Sequence, residues 1–176
     1  MSYSVVYVAG TGHVVGALAL TGSAATPSLA ELVGPALPLR VSLGPAGTVS
    51  LPLPARLLGA LAADAEPGVL TDPLARGVDR PPAGPPGRAL LRLAAWPGGV
   101  TLESRGVTVE LPVAGTRDTP VAALVSGARD TDVLTGVIPA GQRGITLPIA
   151  LEPAAEHGVL VLPAGWAGKL LSARVS

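Results

Sequence analysis

The residues best suited to chemistry in this chain are two histidines, His13 and His157, because there is no cysteine to act as nucleophile or thiolate ligand. An imidazole can exchange a proton near neutral pH or ligate a metal through either ring nitrogen. Metal sites collect three or four ligands, however, and no second histidine stands at helical spacing from either one. A hydrolase built on His157 would need a serine and a carboxylate such as Asp64 or Asp72 brought to it by the fold, and no Gly-x-Ser-x-Gly elbow supports one. Glu156-His157-Gly158 reads more simply as a solvated turn between strands.

Three further patterns invite a chemical reading. Val5 to Gly16 places a β-branched run before Gly10-Thr-Gly12 and Gly16, a superficial dinucleotide fingerprint, but Gly16 leads into Ala-Leu-Ala-Leu-Thr without a capped helix. A pyrophosphate site needs a helix N-terminus there, so the glycines are assigned to a turn and no cofactor is expected. Asp130-Thr-Asp132 alternates carboxylates as calcium loops do, yet lacks the further oxygen ligands and closing glutamate, and Asx-turn chemistry accounts for it. Trp96-Pro-Gly-Gly99 and Ala164-Gly-Trp166-Ala-Gly168 set the two indoles beside turns. There each could close the end of a core or stack on a sugar or partner; Trp96 is read as a lid and Trp166 is left open.

Hydrophobic period and Gly/Pro punctuation define the framework that carries these residues. Ser2 to Val8 and Val14 to Leu20 flank a glycine-framed turn and predict a β-hairpin. No charged side chain precedes Glu31, so that hairpin is expected inside the domain or under another subunit. Ser23 to Pro27 reads as a small-residue loop, and Ser28-Leu-Ala-Glu31 as a capping box opening a short helix that ends at Gly34-Pro35. Leu37–Leu43 and Thr48–Leu53 predict a second hairpin around Gly44-Pro-Ala-Gly47. Pro54 to Ala65 changes period: Leu57, Leu58 and Leu61 recur at helical spacing and predict an amphipathic helix. Residues 71–88, rich in Pro and Gly and carrying Arg76, Arg80 and Arg88, read as a long connection or an arm. Beyond it short strands recur: 88–96, 100–104, 107–113, 121–125, 133–138, 145–151, 159–162 and 170–175. Several open on Gly and close on Pro, as in Gly106–Pro112, Gly144–Pro148 and Gly158–Pro163, which is shared strand punctuation and not a repeat of fixed period.

The expected fold is therefore mainly β, an antiparallel β-sandwich or partly open barrel with one or two short helices. It would form a single domain over 1–176, or two lobes (1–70 and 89–176) joined by 71–88. The core must be aliphatic, since Phe is absent and aromatics stop at Tyr3, Tyr7, Trp96 and Trp166. Charge is balanced, 12 basic against 12 acidic, which argues against nucleic acid as a partner. No apolar run is long enough for a membrane span, and no standard export signal is visible, so a cytoplasmic protein is expected, free or built into a particle assembled there. Residues 1–55 hold 2 charged side chains, 56–132 hold 17 and 133–176 hold 5. The chain ends are thus the candidate contact surfaces, with Tyr3, Val5, Tyr7, Val14, Leu18, Trp166 and Leu170 as candidate interface residues.

The leading expectation is a non-catalytic structural or adaptor subunit that self-associates or joins a larger assembly of the phage-tail, injection-machine or shell type, its partners being further copies or other subunits. The alternatives are a carbohydrate- or peptide-binding β-module using Trp166 or the loop Arg76 to Arg88, and the hydrolase around His157.

Overall fold

In the computed structural model the chain is described over residues 2–21, 27–79, 81, 84–127 and 129–176. The elements run β1 (Ser2–Val8), β2 (Val14–Leu20), α1 (Leu29–Val33), β3 (Ala36–Ser42), β4 (Thr48–Pro54), β5 (Leu58–Ala63), α2 (Gly68–Thr71), β6 (Arg76–Val78) and β7 (Leu90–Arg92). The chain continues through β8 (Val100–Glu103), β9 (Gly106–Glu110), β10 (Thr119–Ser126), β11 (Thr131–Ile138), β12 (Gly144–Pro148), β13 (Glu156–Pro163) and β14 (Lys169–Arg174). The protein is mainly β, with antiparallel ladders and two short helices. The loop expected over Ser23 to Pro27 lies, except for Pro27, outside the described residues, as do Arg80 and Pro82.

Two compact units divide the chain: residues 1–37, 54–95 and 165–167 form the first, and residues 38–53, 96–164 and 168–176 the second. The stretch 71–88 falls in the first unit, where it supplies β6 and the approach to β7.

The first unit is organised around β1, which pairs with β2 on one side and β5 on the other. The expected β1–β2 hairpin forms. Its turn needs the left-handed conformation at Gly12 (φ 81°) and leaves Gly10 in ordinary backbone. Between Val6 and Tyr7 the register slips, so that Tyr7 faces Val14 while Val6 faces Gly16. One extra residue reverses the side-chain alternation. Val14 therefore shares a face with Tyr3 and Val5, and together with Ala63, Val69 of α2 and Val78 of β6 they make an apolar core. Leu18, opposite Ser4, points to the other face and is 45% exposed.

Ser28 caps α1 in the predicted box: its hydroxyl accepts the Glu31 amide at 3.4 Å while the Glu31 carboxylate accepts the Ser28 amide at 2.7 Å. The helix predicted over Pro54 to Ala65 does not form. A single 3-10 turn, Ala55–Leu57, leads into β5, whose Leu61 pairs with Val5 and whose Gly59 lies under the Tyr7 ring. Three leucines at helical spacing were outweighed by β1, whose second edge would otherwise carry unpaired amides and carbonyls in the core.

The second unit contains a three-stranded sheet, β12-β9-β8, and a four-stranded sheet, β11-β10-β13-β14. Gly136 of β11 meets the side chains of Ile145 and Leu147 of β12, and beyond β14 a single parallel bridge joins Leu102 to Val175. Val107, Val109 and Leu147 of the first of these sheets and Val159 and Val161 of the second are all at most 1% exposed. On the other face of β13, Gly158 meets Val41 and Val49 of the β3–β4 hairpin, which leaves β13 buried on both sides. This explains the uninterrupted apolar run Val159 to Leu162, since a strand covered on both faces need not alternate.

Candidate functional site

The two histidines occupy different units and differ in what their nitrogens meet. His13 follows the β1–β2 turn, fully buried. A carbonyl can only accept, so the 2.7 Å contact from Nε2 to the Trp166 carbonyl fixes the proton on Nε2. Nδ1 then accepts from the Thr11 hydroxyl at 2.9 Å. Burial pushes its pKa down to about 4, against a smaller upward pull from the Trp166 carbonyl. With both nitrogens engaged and the ring neutral, His13 is a tie between the first hairpin and segment 165–167, held also by the amide of Ala167 on the Ala94 carbonyl at 2.8 Å.

His157 opens β13 beside the end of β10. Its Nδ1 donates to the Ser126 carbonyl, and the Ser126 hydroxyl accepts the Gly158 amide at 2.8 Å. Its Nε2, buried, meets no partner. The turn histidine expected to be solvated is thus 9% exposed. Its residue lines a cavity of about 320 Å³ with Leu43, Val49, Ser126, Asp132 and Glu152. Three carboxylates, Asp132, Glu152 and Glu156, reach this lining and, among the described residues, no Lys or Arg does. The cavity brings a sequence-selected histidine together with the Asp130-Thr-Asp132 stretch. Asp64 and Asp72 belong to the other unit. Among the described residues no group of three or more His, Asp or Glu could hold a metal ion, and no hydroxyl is bonded to the His157 ring.

Trp96 is buried, and the Lys169 ammonium sits 3.8 Å from the centre of its ring while donating to the Gly98 carbonyl. Desolvation there pulls the Lys169 pKa down. Nothing in the sequence singled out Lys169, because cross-strand pairing of β13 and β14 brings it to a turn far earlier in the chain. Trp166 is half-buried and contributes its backbone to the first unit's core connection. Arg76 is occupied by Glu66 at 3.2 Å, and Arg88 pairs loosely with Asp64 at 3.6 Å where both are exposed. Arg80 lies outside the described residues.

Of the candidate interface residues, Tyr3, Val5 and Val14 are consumed by the first unit's own core and offer no surface. Tyr7 is partly buried against Gly59, Leu170 is half-buried in β14, and Leu18 alone is exposed. The physical reason is the bulge, which turned Val14 inward and Leu18 outward.

What remains open in the first unit is an edge. β5 has β1 as its sole ladder partner among the described residues, and its other edge is unpaired. Just past the strand, the Asp64 amide donates to the Arg88 carbonyl at 3.0 Å, so the open stretch is β5 itself. Neither β5 nor β1 nor β2 carries a charge or a proline. Beside β2, by contrast, lie α2 and the 3-10 turn Pro73–Ala75, and His13 bridges to Gly77.

No family model matches the chain, and no curated protein or solved structure is significantly similar to it. Among the described residues no helix is long and apolar enough to cross a membrane.

Proposed function

We propose that this protein is a non-catalytic structural or adaptor subunit that self-associates or builds into a larger protein assembly, of the kind that tails, injection machines and shells are made from. The observation that carries this reading is the chargeless three-stranded sheet of the first unit with its unpaired β5 edge. Soluble monomers protect such edges with lysine, proline, a bulge or a covering loop, because a row of free amides and carbonyls beside apolar side chains is a template for another strand. β2 has α2 and a 3-10 turn beside it and α1 approaches β5, but the six residues of β5 carry no lysine, proline or bulge.

The two histidines fit the same reading. His13 is spent on holding the fold together, and His157 has no bonded hydroxyl to activate. A ligand-binding β-module is the second reading, favoured by the His157 cavity, whose unpartnered ring nitrogen and three carboxylates would suit a hydrogen-bond donor. Size-exclusion chromatography with light scattering tests the first: the purified chain runs as a dimer or larger at tens of micromolar. A clean monomer up to 100 µM refutes it.

A further inference from the structure

We infer that the cavity beside His157 is a binding site for a small primary amine in its ammonium form, held by the bare Nε2 of His157 and by the carboxylates of Asp132, Glu152 and Glu156. This rests on the ligand-binding reading above and is independent of whether the chain assembles.

The demand for a ligand comes from the histidine. With Nδ1 donating to the Ser126 carbonyl, the neutral ring carries its free lone pair on Nε2, which can only accept. That nitrogen is buried without a partner, and the whole residue is 9% exposed. Of the buried side-chain atoms that lack a partner among the described residues, it alone belongs to the cavity's lining. Native folds leave few buried acceptors unanswered, so one in the wall of a cavity marks where a donor comes from outside the fold.

Charge sets the sign of that donor. Glu156 precedes His157 on β13, Glu152 stands in the β12–β13 loop and Asp132 near the start of β11, and all three line the cavity on exposed residues. Asp132 Oδ2 lies 3.7 Å from the Cβ position of Gly127, another lining residue, which puts this carboxylate at the wall. Arg129, in the β10–β11 turn, and Arg174, opposite Glu156 on β14, are exposed and outside the lining. Among the described residues no three of these groups stand together to hold a metal ion. Spread around about 320 Å³, they suit an organic cation of several atoms better than a point charge. Leu43, Val49 and Leu151 add an apolar wall on which an alkyl stem can lie, as the stems of lysine side chains do elsewhere. The loop that carries Glu152 is fixed in place: the Leu151 amide donates to the Ser104 carbonyl at 3.0 Å and the Ala154 amide to the Val175 carbonyl at 3.2 Å. Ala154 is held there in the left-handed conformation (φ 62°), which is unfavourable for a residue with a Cβ.

The test is a nitrogen-15 NMR titration of the whole chain with n-butylammonium chloride, against sodium chloride at equal ionic strength. Amides of Ser126, Gly127 and His157 should shift saturably, and the His157 Nε2 resonance should move upfield as it gains a donor while Nδ1 stays. Tetramethylammonium has the charge without an N–H, and butyramide the N–H without a charge; each should bind about tenfold more weakly, the worth of one charge-assisted hydrogen bond. Glu152→Gln, on an exposed loop residue, should weaken butylammonium about threefold with an unchanged thermal melt. Nα-acetyl-lysine methylamide separates the sources of the ammonium: binding at least as tight as butylammonium assigns a lysine side chain, weaker binding a free amine. Butyramide or tetramethylammonium binding as tightly as butylammonium overturns the ammonium site while leaving a ligand-binding cavity. Shifts that follow ionic strength alone, with Nε2 unmoved by every probe, overturn both.

Discussion

Acid should loosen the first unit through His13. In the folded chain its pKa is about 4, held down by burial, against an ordinary 6.5. The unfolded chain therefore binds a proton in the window between those values that the folded chain refuses. Stability from this group is complete above pH 6.5 and is lost as pH falls toward 4, at about 1.36 kcal/mol per unit. The full difference amounts to roughly 3 kcal/mol, a large share of the 5–15 kcal/mol that ordinary domains possess. At pH 4.5 most of it is already gone. Carboxylates also titrate over this range, so the measurement is a difference. Urea unfolding of wild type and His13→Gln is followed at pH 7 and 4.5 by Trp166 fluorescence, with Trp96→Phe in both backgrounds. The wild type should lose roughly 2–3 kcal/mol more than the variant on acidification. Nitrogen-15 NMR of the imidazole gives the direct check: Nε2 protonated and Nδ1 bare, unchanged from pH 8 to 5. A ring that titrates near 6.5, or equal acid sensitivity of both proteins, refutes the argument.

Two further outcomes probe the second unit. Gly158→Ala places a methyl 2.7 Å from Val49 Cγ1 and 3.3 Å from Val41 Cβ, contacts the β3–β4 hairpin can relieve only by moving. A loss of about 1–3 kcal/mol in the urea midpoint is expected, and an unchanged midpoint would show that the hairpin is not packed on β13. Lys169→Met keeps the stem but removes the ammonium from the Trp96 ring, so Trp96 fluorescence should shift and stability fall by about 0.5–1 kcal/mol, with no change if the lysine points to solvent.

Much of the architecture was readable in local signals. Period-two alternation, Gly and Pro punctuation and the Ser28–Glu31 box are properties of adjacent residues, and they located the capped helix, both N-terminal strands and all the strands after residue 88. Where a residue's role depends on something distant in the chain, those signals fall silent. Leu57, Leu58 and Leu61 suit a helix or a strand equally, and only the open side of β1 decided for a strand, which in turn made the edge on which the proposed contact rests. The β1–β2 bulge shows the same limit, since one unpaired residue turned Val14 into core and Leu18 into surface without altering the pattern of residue types. His13 and His157 look alike as sequence. One found a hydroxyl and a carbonyl 153 residues away, and the other a carbonyl on one nitrogen and nothing on the other. Composition and local pattern were enough to make this an aliphatic, strand-rich chain with an uncharged beginning. Which strands became neighbours, and which ring nitrogen was left bare, was settled by folding, because pairing and burial are set by contacts between residues that the chain order keeps far apart.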